Sequence, residues 1–162
     1  MKILIELPTW LGDAVMATPA IENLALFFKS SQITIIGSLV AIEALKNHPK
    51  VINSFVLDRN ISGIYKTIKN LEEFDIFLSF RSSFRSKLVK FLISSKSKYQ
   101  LNKNIYDKGH QVEKYNNFVN DSLKIDTIAG RLIVHSEKDS KDSKDSKDSK
   151  DSKVKLLGIS PG

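Results

Sequence analysis

Lys2-Ile3-Leu4-Ile5-Glu6-Leu7-Pro8-Thr9-Trp10-Leu11-Gly12-Asp13 decides the fold class. Lys2–Leu7 is a short apolar run with β-branched residues, the pattern of a strand covered on both faces. Pro8 has no N–H to offer a ladder and ends it. Thr9–Asp13 reads as a turn. From Ala14 to Phe28 apolar residues return at helical spacing, at Val15, Met16, Pro19, Leu24, Phe27 and Phe28. Pro19 either kinks one long helix or stands in the first turn of a second, with Thr18 as its N-cap.

The same alternation continues outward. Strands are predicted at Ile33–Ile36 (closed by Gly37), Val51–Leu57, Asp75–Phe80, Lys98–Leu101 and Leu132–His135. Helices are predicted at Leu39–Lys46, Ile61–Leu71, Phe84–Ile93 and Val112–Leu123. Strand and helix in turn, with short connections, require crossover helices over a parallel sheet. The expected fold class is therefore α/β, a Rossmann-like parallel sheet flanked by helices. Ligands of such sheets sit beyond the carboxyl ends of the strands. That directs attention to loops 8–13, 37–38 and 81–83.

The chain has 162 residues, 41% hydrophobic and 27% charged, and no cysteine. At roughly 150 residues per domain, this is one domain with a core. The missing cysteine excludes a disulfide framework, a thiolate nucleophile and Cys-ligated zinc, and fits a reducing compartment such as the cytoplasm. Apolar runs fall well short of the ~20 residues that a membrane helix needs. Glu6, Asp13 and Glu22 interrupt any secretory signal pattern.

Residues 138–152 repeat Lys-Asp-Ser five times, and Lys153 opens a sixth copy. Six lysines, five aspartates and no apolar residue there cannot repay the entropy of ordering, so 138–153 is expected to be a solvated linker. It separates a domain at 1–137 from a short strand and loop at 154–162. The first part carries 18 bases and 13 acids, a net +5. Within it, residues 81–108 hold eight bases against Asp107 alone, a net +7, so the remainder is −2. That local patch suits an anionic partner, or is a solvated basic face.

Loop 8–13 carries no G-x-G-x-x-G and no Walker lysine, so it spells no nucleotide site. What it offers is Asp13, at a helix start beyond a strand's carboxyl end. There the carboxylate either accepts a proton from a substrate hydroxyl or caps the helix. Trp10, the single tryptophan, is either a stacking wall for a sugar ring or packing for the sheet edge. In Arg81-Ser82-Ser83-Phe84-Arg85 the guanidinium groups and serine hydroxyls suit phosphate or carboxylate oxygens, and the serines equally suit N-capping. His48, His110 and His135 show no metal-ligand spacing and read as structural or exposed. The basic patch lacks interleaved aromatics and a reading helix, which argues against nucleic acid.

Ile3–Pro19, above all Trp10-Leu11-Gly12-Asp13, resembles the opening of the bacterial ADP-heptose:lipopolysaccharide heptosyltransferases. Trp10 and Met16 make it more similar to type II than to type I. Ser83-Phe84-Arg85-Ser86 resembles the family's Asn-Ser-Phe-Arg-Ser segment. His110-Gln111-Val112-Glu113-Lys114-Tyr115 is similar to its His-x-x-Glu-x-Tyr helix start. Leu157-Gly158-Ile159-Ser160-Pro161-Gly162 resembles the strand and Pro-Gly loop that open the family's second domain.

The resemblance implies an inverting, metal-independent glycosyltransferase with two Rossmann-like domains and no cofactor. The first domain would bind the lipopolysaccharide inner core and the second would bind ADP-heptose. The aspartate matching Asp13 would deprotonate the acceptor hydroxyl. Thr9, Trp10, Gly12, Arg81, Ser82, Ser83, Arg85 and Lys98 would then serve the acceptor, and Ser160, Pro161 and Gly162 the donor. The acceptor's carboxylates and phosphates would give the basic patch a partner, with peripheral contact at an anionic membrane face and no nucleic acid. The family's Lys-Arg-Trp-Pro segment is absent, so the expectation is an acceptor half that transfers nothing alone. The alternative is a non-catalytic module for an anionic glycolipid or polyanion.

Overall fold

The computed structural model of the chain describes residues 1–58 and 60–136. In chain order the elements are β1 (Lys2–Glu6), α1 (Leu11–Met16), α2 (Thr18–Phe27), β2 (Gln32–Gly37), α3 (Leu39–Leu45) and β3 (Val51–Val56). They continue with α4 (Ile61–Lys69), β4 (Phe74–Ser79), α5 (Phe84–Leu92), β5 (Ser95–Gln100) and α6 (Gln111–Leu123). The five strands form one sheet in the order β3-β2-β1-β4-β5, every pair parallel. The expected α/β, Rossmann-like class is what the chain adopts.

Alternation along the strands divides the core into two layers. Ile3, Ile5 and Leu7 enter the layer under α1, α2, α3 and α6, while Leu4 enters the layer under α4 and α5. Ile33 and Ile35 against Ile36, and Leu78 against Phe77, divide the same way. The chain runs outward from β1 through β2 to β3, then returns to the far side of β1 for β4 and β5. Crossovers of one hand place their helices on opposite faces when the direction reverses. The reversal leaves a crevice between the carboxyl ends of β1 and β4, where ligands of open α/β sheets bind.

Several local expectations are corrected. The stretch Thr9–Asp13 is not all turn, because α1 begins at Leu11. Pro19 marks two helices rather than a kink, but the N-cap of α2 is Ala17 and not Thr18. Pro19 lies in the first turn, where its missing N–H has no partner to lose. The Thr18 hydroxyl donates to the Val15 carbonyl of α1 at 2.7 Å. The fifth strand spans Ser95–Gln100 rather than Lys98–Leu101.

Leu132–His135 forms no strand. Its neighbourhood is the outside of α2 and α6, and the sheet edge lies elsewhere. Asn23 Nδ2 donates to the Ile128 carbonyl at 2.9 Å, and Asn116 Nδ2 to the Thr127 carbonyl at 2.6 Å. The Ile133 N–H donates to Thr18 Oγ1 at 3.1 Å. Side chains of two helices thus take the hydrogen bonds that a neighbouring strand would have supplied. The expected linker at 138–153, the strand and loop at 154–162, and with them Ser160, Pro161 and Gly162, lie outside the described residues.

Candidate functional site

Pairing runs past the strand ends and draws the loops together. The Leu7 N–H donates to the Ile36 carbonyl at 2.8 Å, the Phe80 N–H to the Glu6 carbonyl at 3.0 Å, and the Leu101 N–H to the Ser79 carbonyl at 2.9 Å. Beyond them opens a cleft of about 220 Å³, lined by Pro8, Thr9, Trp10, Asp13, Phe80, Arg81, Ser82, Ser83, Leu101, Lys103, Gln111 and Tyr115. It sits at the β1/β4 reversal. Of the three loops singled out, 8–13 and 81–83 line this cleft. Loop 37–38 instead borders a neighbouring cavity of about 370 Å³, with Thr9, Asp58, Arg81 and Arg85. The Ser38 hydroxyl donates to the Thr9 carbonyl at 2.7 Å and ties those loops together.

Asp13 stands in the first turn of α1, half-buried, where the helix's partial positive charge favours an anion. The helix's N-cap position belongs to Trp10, which makes no side-chain capping bond. Beside Asp13 in the cleft is Tyr115 of α6, almost wholly buried. Burial first, and the Asp13 charge second, push the Tyr115 phenol up to about 12, with the Gln111 side chain opposing. Tyr115 is therefore a neutral hydrogen-bond donor at any ordinary pH.

Loop 81–83 faces Asp13, and a carboxyl buried beneath α5 holds it in place. Glu6, 0% exposed, ends β1 on the face covered by α5. Ser79 Oγ donates to its Oε2 at 2.6 Å, Ser86 Oγ to its Oε1 at 2.9 Å, and an Arg81 guanidinium nitrogen stands 3.5 Å from Oε1. Burial pushes the Glu6 carboxyl up, while Ser79, Arg81, Ser86 and Arg85 pull it back. The Arg81 N–H donates to Ser79 Oγ at 3.3 Å, and Gln100 Nε2 to the Arg81 carbonyl at 3.1 Å. One buried carboxyl thus joins the ends of β1 and β4, the start of α5 and the arginine of the cleft.

The structure sorts the remaining site expectations. Trp10 is 74% exposed at the cleft, so it is an open wall rather than packing for the sheet edge. Thr9, Arg81 and Ser82 line the cleft as expected. Ser83 lines it too, but it is the N-cap of α5 and accepts the Ser86 N–H at 3.2 Å. Gly12 is not in the cleft wall, and a side chain there would meet nothing within 4 Å. Arg85 belongs to the neighbouring cavity, where its guanidinium donates to the Asp58 carbonyl. Lys98 is turned away, with its ammonium 3.4 Å from the Phe91 carbonyl behind α5. Tyr115, Gln111 and Lys103 join the site although no role was assigned to them from sequence.

Two of the three histidines are not scattered. His48 and His135 converge on Glu22 of α2, with His135 Nε2 at 2.7 Å and His48 Nε2 at 3.2 Å from Glu22 Oε1. Their rings meet edge to face at 5.0 Å. His48 Nδ1 accepts the Lys50 N–H at 3.1 Å, so the neutral ring carries its proton on Nε2, facing Glu22. A metal would need that same Nε2 lone pair; His48 Nε2 is buried without an aligned hydrogen bond, and the hydrogen bond to Glu22 is made by His135. His110 caps α6 in a capping box with Glu113.

In the cleft, then, a carboxylate and a neutral phenol face a guanidinium, hydroxyls and an ammonium. Such a set accepts a proton from a hydroxyl and holds an anionic group beside it.

No family model matches the chain. It is 40% identical over 129 residues to the lipooligosaccharide heptosyltransferase 2 of Campylobacter jejuni serotype O:2, covering 77% of this chain and 40% of that protein. The serotype O:6 protein of the same name gives the same figures. The chain thus spans about 40% of the length of these curated relatives. The fold is similar to that of E. coli heptosyltransferase WaaC, solved with ADP (TM-score 0.68, 14% identity, 82% of this chain and 50% of that one). It is also similar to a glycosyl transferase family 9 protein of Veillonella parvula (0.71, 18%, 83% and 44%). E. coli ADP-heptose lps heptosyltransferase II gives 0.62, 18%, 85% and 48%.

Proposed function

We propose, for a chain similar in sequence to lipooligosaccharide heptosyltransferase 2 and similar in fold to solved heptosyltransferases, that residues 1–137 form the acceptor-binding half of an ADP-heptose-dependent transferase. The observation that carries this reading is Asp13, open to a cleft at the β1/β4 reversal with Arg81 and Ser82 across from it. In this reading the Asp13 carboxylate takes the proton of an inner-core heptose hydroxyl. The hydroxyl oxygen forms the new bond to the anomeric carbon as that carbon's bond to the diphosphate breaks, and ADP departs. Attack opposite the leaving group inverts the anomeric centre. Tyr115, un-ionised, donates a hydrogen bond near Asp13 without competing for the proton. Arg81, Ser82 and Lys103 bind the acceptor's carboxylate or phosphate oxygens. Trp10 offers a plane for a sugar face.

The donor would be held by a second domain, opened by Ser160-Pro161-Gly162, with 138–153 as the connection. Stabilisation of charge on the leaving diphosphate is a large part of such catalysis, and those groups belong to the second domain. The chain 1–162 alone therefore binds acceptor weakly and transfers nothing. The acceptor is anchored in lipid, so the protein works against an anionic membrane face. A purely binding role is not favoured, because the similar proteins are transferases.

The test replaces Asp13 by Asn in a two-domain protein that carries this half. Heptose transfer should fall by about 10² to 10⁴-fold with the melting temperature unchanged. Near-normal transfer by Asp13→Asn, or measurable transfer by 1–162 alone, would overturn the proposal.

A further inference from the structure

Helices α4 and α5 lie side by side over the second core layer, burying Ile64, Ile68 and Val89 against the sheet. Their outer faces are unusual for surface helices. On α5, Phe84 is 84% exposed and Phe91 is 79% exposed. Lys87 lies between them on the same helical face, at spacings of three and four residues. On α4, Ile61 and Tyr65 are exposed one turn apart, next to Lys66 and Lys69. Neither helix contains an acidic residue, and together they carry five bases. Lys66, Lys69, Lys87 and Lys90 have no acidic partner among the described residues.

Large exposed rings within an all-basic face have a specific physical use. Lysine alone is satisfied by water, and isolated exposed apolar residues are ordinary. Two phenylalanines, an isoleucine and a tyrosine amid lysines match a bilayer interface. The rings enter the boundary of the acyl chains while the ammonium groups meet lipid phosphates. Charge complementarity selects an anionic surface. The acids at the border, Asp58 before α4 and Glu72 and Glu73 after it, lie outside the two helices, and Glu72 is paired with Lys2.

We infer that the outer face of α4 and α5 is a docking surface for an anionic lipid bilayer, with Phe84 and Phe91 as the inserted anchors and Lys66, Lys69, Lys87 and Lys90 as the headgroup contacts. The N-cap of α5, Ser83, lines the cleft, so docking this face brings the cleft mouth down to the membrane. Phe84, next in the chain, enters the interface beside it. The inference rests on the proposed function for one point, that the acceptor is lipid-anchored.

The experiment sediments the full chain with vesicles and needs no transfer chemistry. The chain should pellet with vesicles containing phosphatidylglycerol and stay in solution with phosphatidylcholine alone. Raising salt should weaken the binding. Phe84→Ser/Phe91→Ser and Lys87→Glu/Lys90→Glu should each lower partitioning at least about tenfold, with circular dichroism unchanged. Leu26→Ser/Phe27→Ser, which alters exposed apolar residues on the opposite layer, should bind like wild type. No wild-type binding, equal binding by the α5 variants, or a homodimer that the phenylalanine variant dissolves would overturn the inference. So would tighter retention on duplex DNA than on vesicles. Failure here leaves transfer to a delipidated, soluble acceptor unaffected. Failure of the Asp13 test leaves vesicle binding unaffected.

Discussion

Glu6 and Asp13 stand seven positions apart in the opening segment, and the structure uses them in opposite ways. Glu6, still in β1, turns into the layer beneath α5 and meets two serine hydroxyls and a guanidinium, out of reach of water. Asp13 has passed the strand end and, from the first turn of α1, looks into an open cleft. The same functional group is a fixed internal brace in one place and an open, cleft-lining carboxyl in the other. Pleat direction decides which. A carboxylate pointing into a layer must be hydrogen-bonded to be tolerated, whereas one beyond the sheet's carboxyl edge is positioned by the loops.

Mutating each in turn should separate the roles. The largest effect is the loss of transfer by Asp13→Asn, with stability changed by less than about 0.5 kcal/mol, since the site is half-exposed. Glu6→Leu should do the reverse. It leaves Ser79, Ser86 and Arg81 without their acceptor and lowers stability by about 2–4 kcal/mol in urea unfolding. Glu6→Gln, which keeps a carbonyl acceptor, should cost about half as much. If Glu6→Leu unfolds at the same urea concentration as wild type, Glu6 braces nothing.

Tyr115→Phe probes the cleft beside Asp13. Loss of one neutral donor should reduce transfer by no more than about tenfold. Because its phenol ionises only at about 12, the shape of the pH profile from neutrality upward should stay as in wild type. A basic limb that vanishes in Tyr115→Phe would show that the phenol titrates in the reaction.

The smallest effect concerns the Glu22 cluster, far from both carboxylates in role. Burial first, with His135 and Lys50 adding to it and Glu22 opposing, holds His48 below its usual 6.5. The unfolded chain therefore takes up the His48 proton first. Stability is unaffected above about pH 6.5 and declines as pH falls below it. His48→Gln should flatten that acid slope in melting curves, relative to wild type. The buried Glu6, with its raised pKa, acts in the opposite sense and remains in both proteins, so the difference isolates His48. An unchanged slope would place the acid sensitivity elsewhere.

Much of this architecture was legible in residue order. The strand at Lys2–Glu6, the pause at Pro8 and the helix spacing after it announce a βα unit. Glu6 itself was a readable signal, because a lone carboxyl in an apolar buried run must find donors. Which donors could not be read: Ser79 and Ser86 lie more than 70 positions away. The resemblance assigns Lys98 and Arg85 to the acceptor, yet the pleat and the helix face turn them elsewhere. Leu132–His135 has the composition of a strand, and lost that role because Thr18, Asn23 and Asn116 took its segment onto the helices.

Periodicity, turn residues and charge along the chain determined the element types, the parallel sheet and the candidate base, because those depend on neighbours within a few positions. The sheet order, the hidden brace under α5, the tyrosine beside the aspartate and the meeting of His48 with His135 were decided only in three dimensions. Each depends on where a crossover returns and which way a side chain points when it arrives, and no local pattern encodes that.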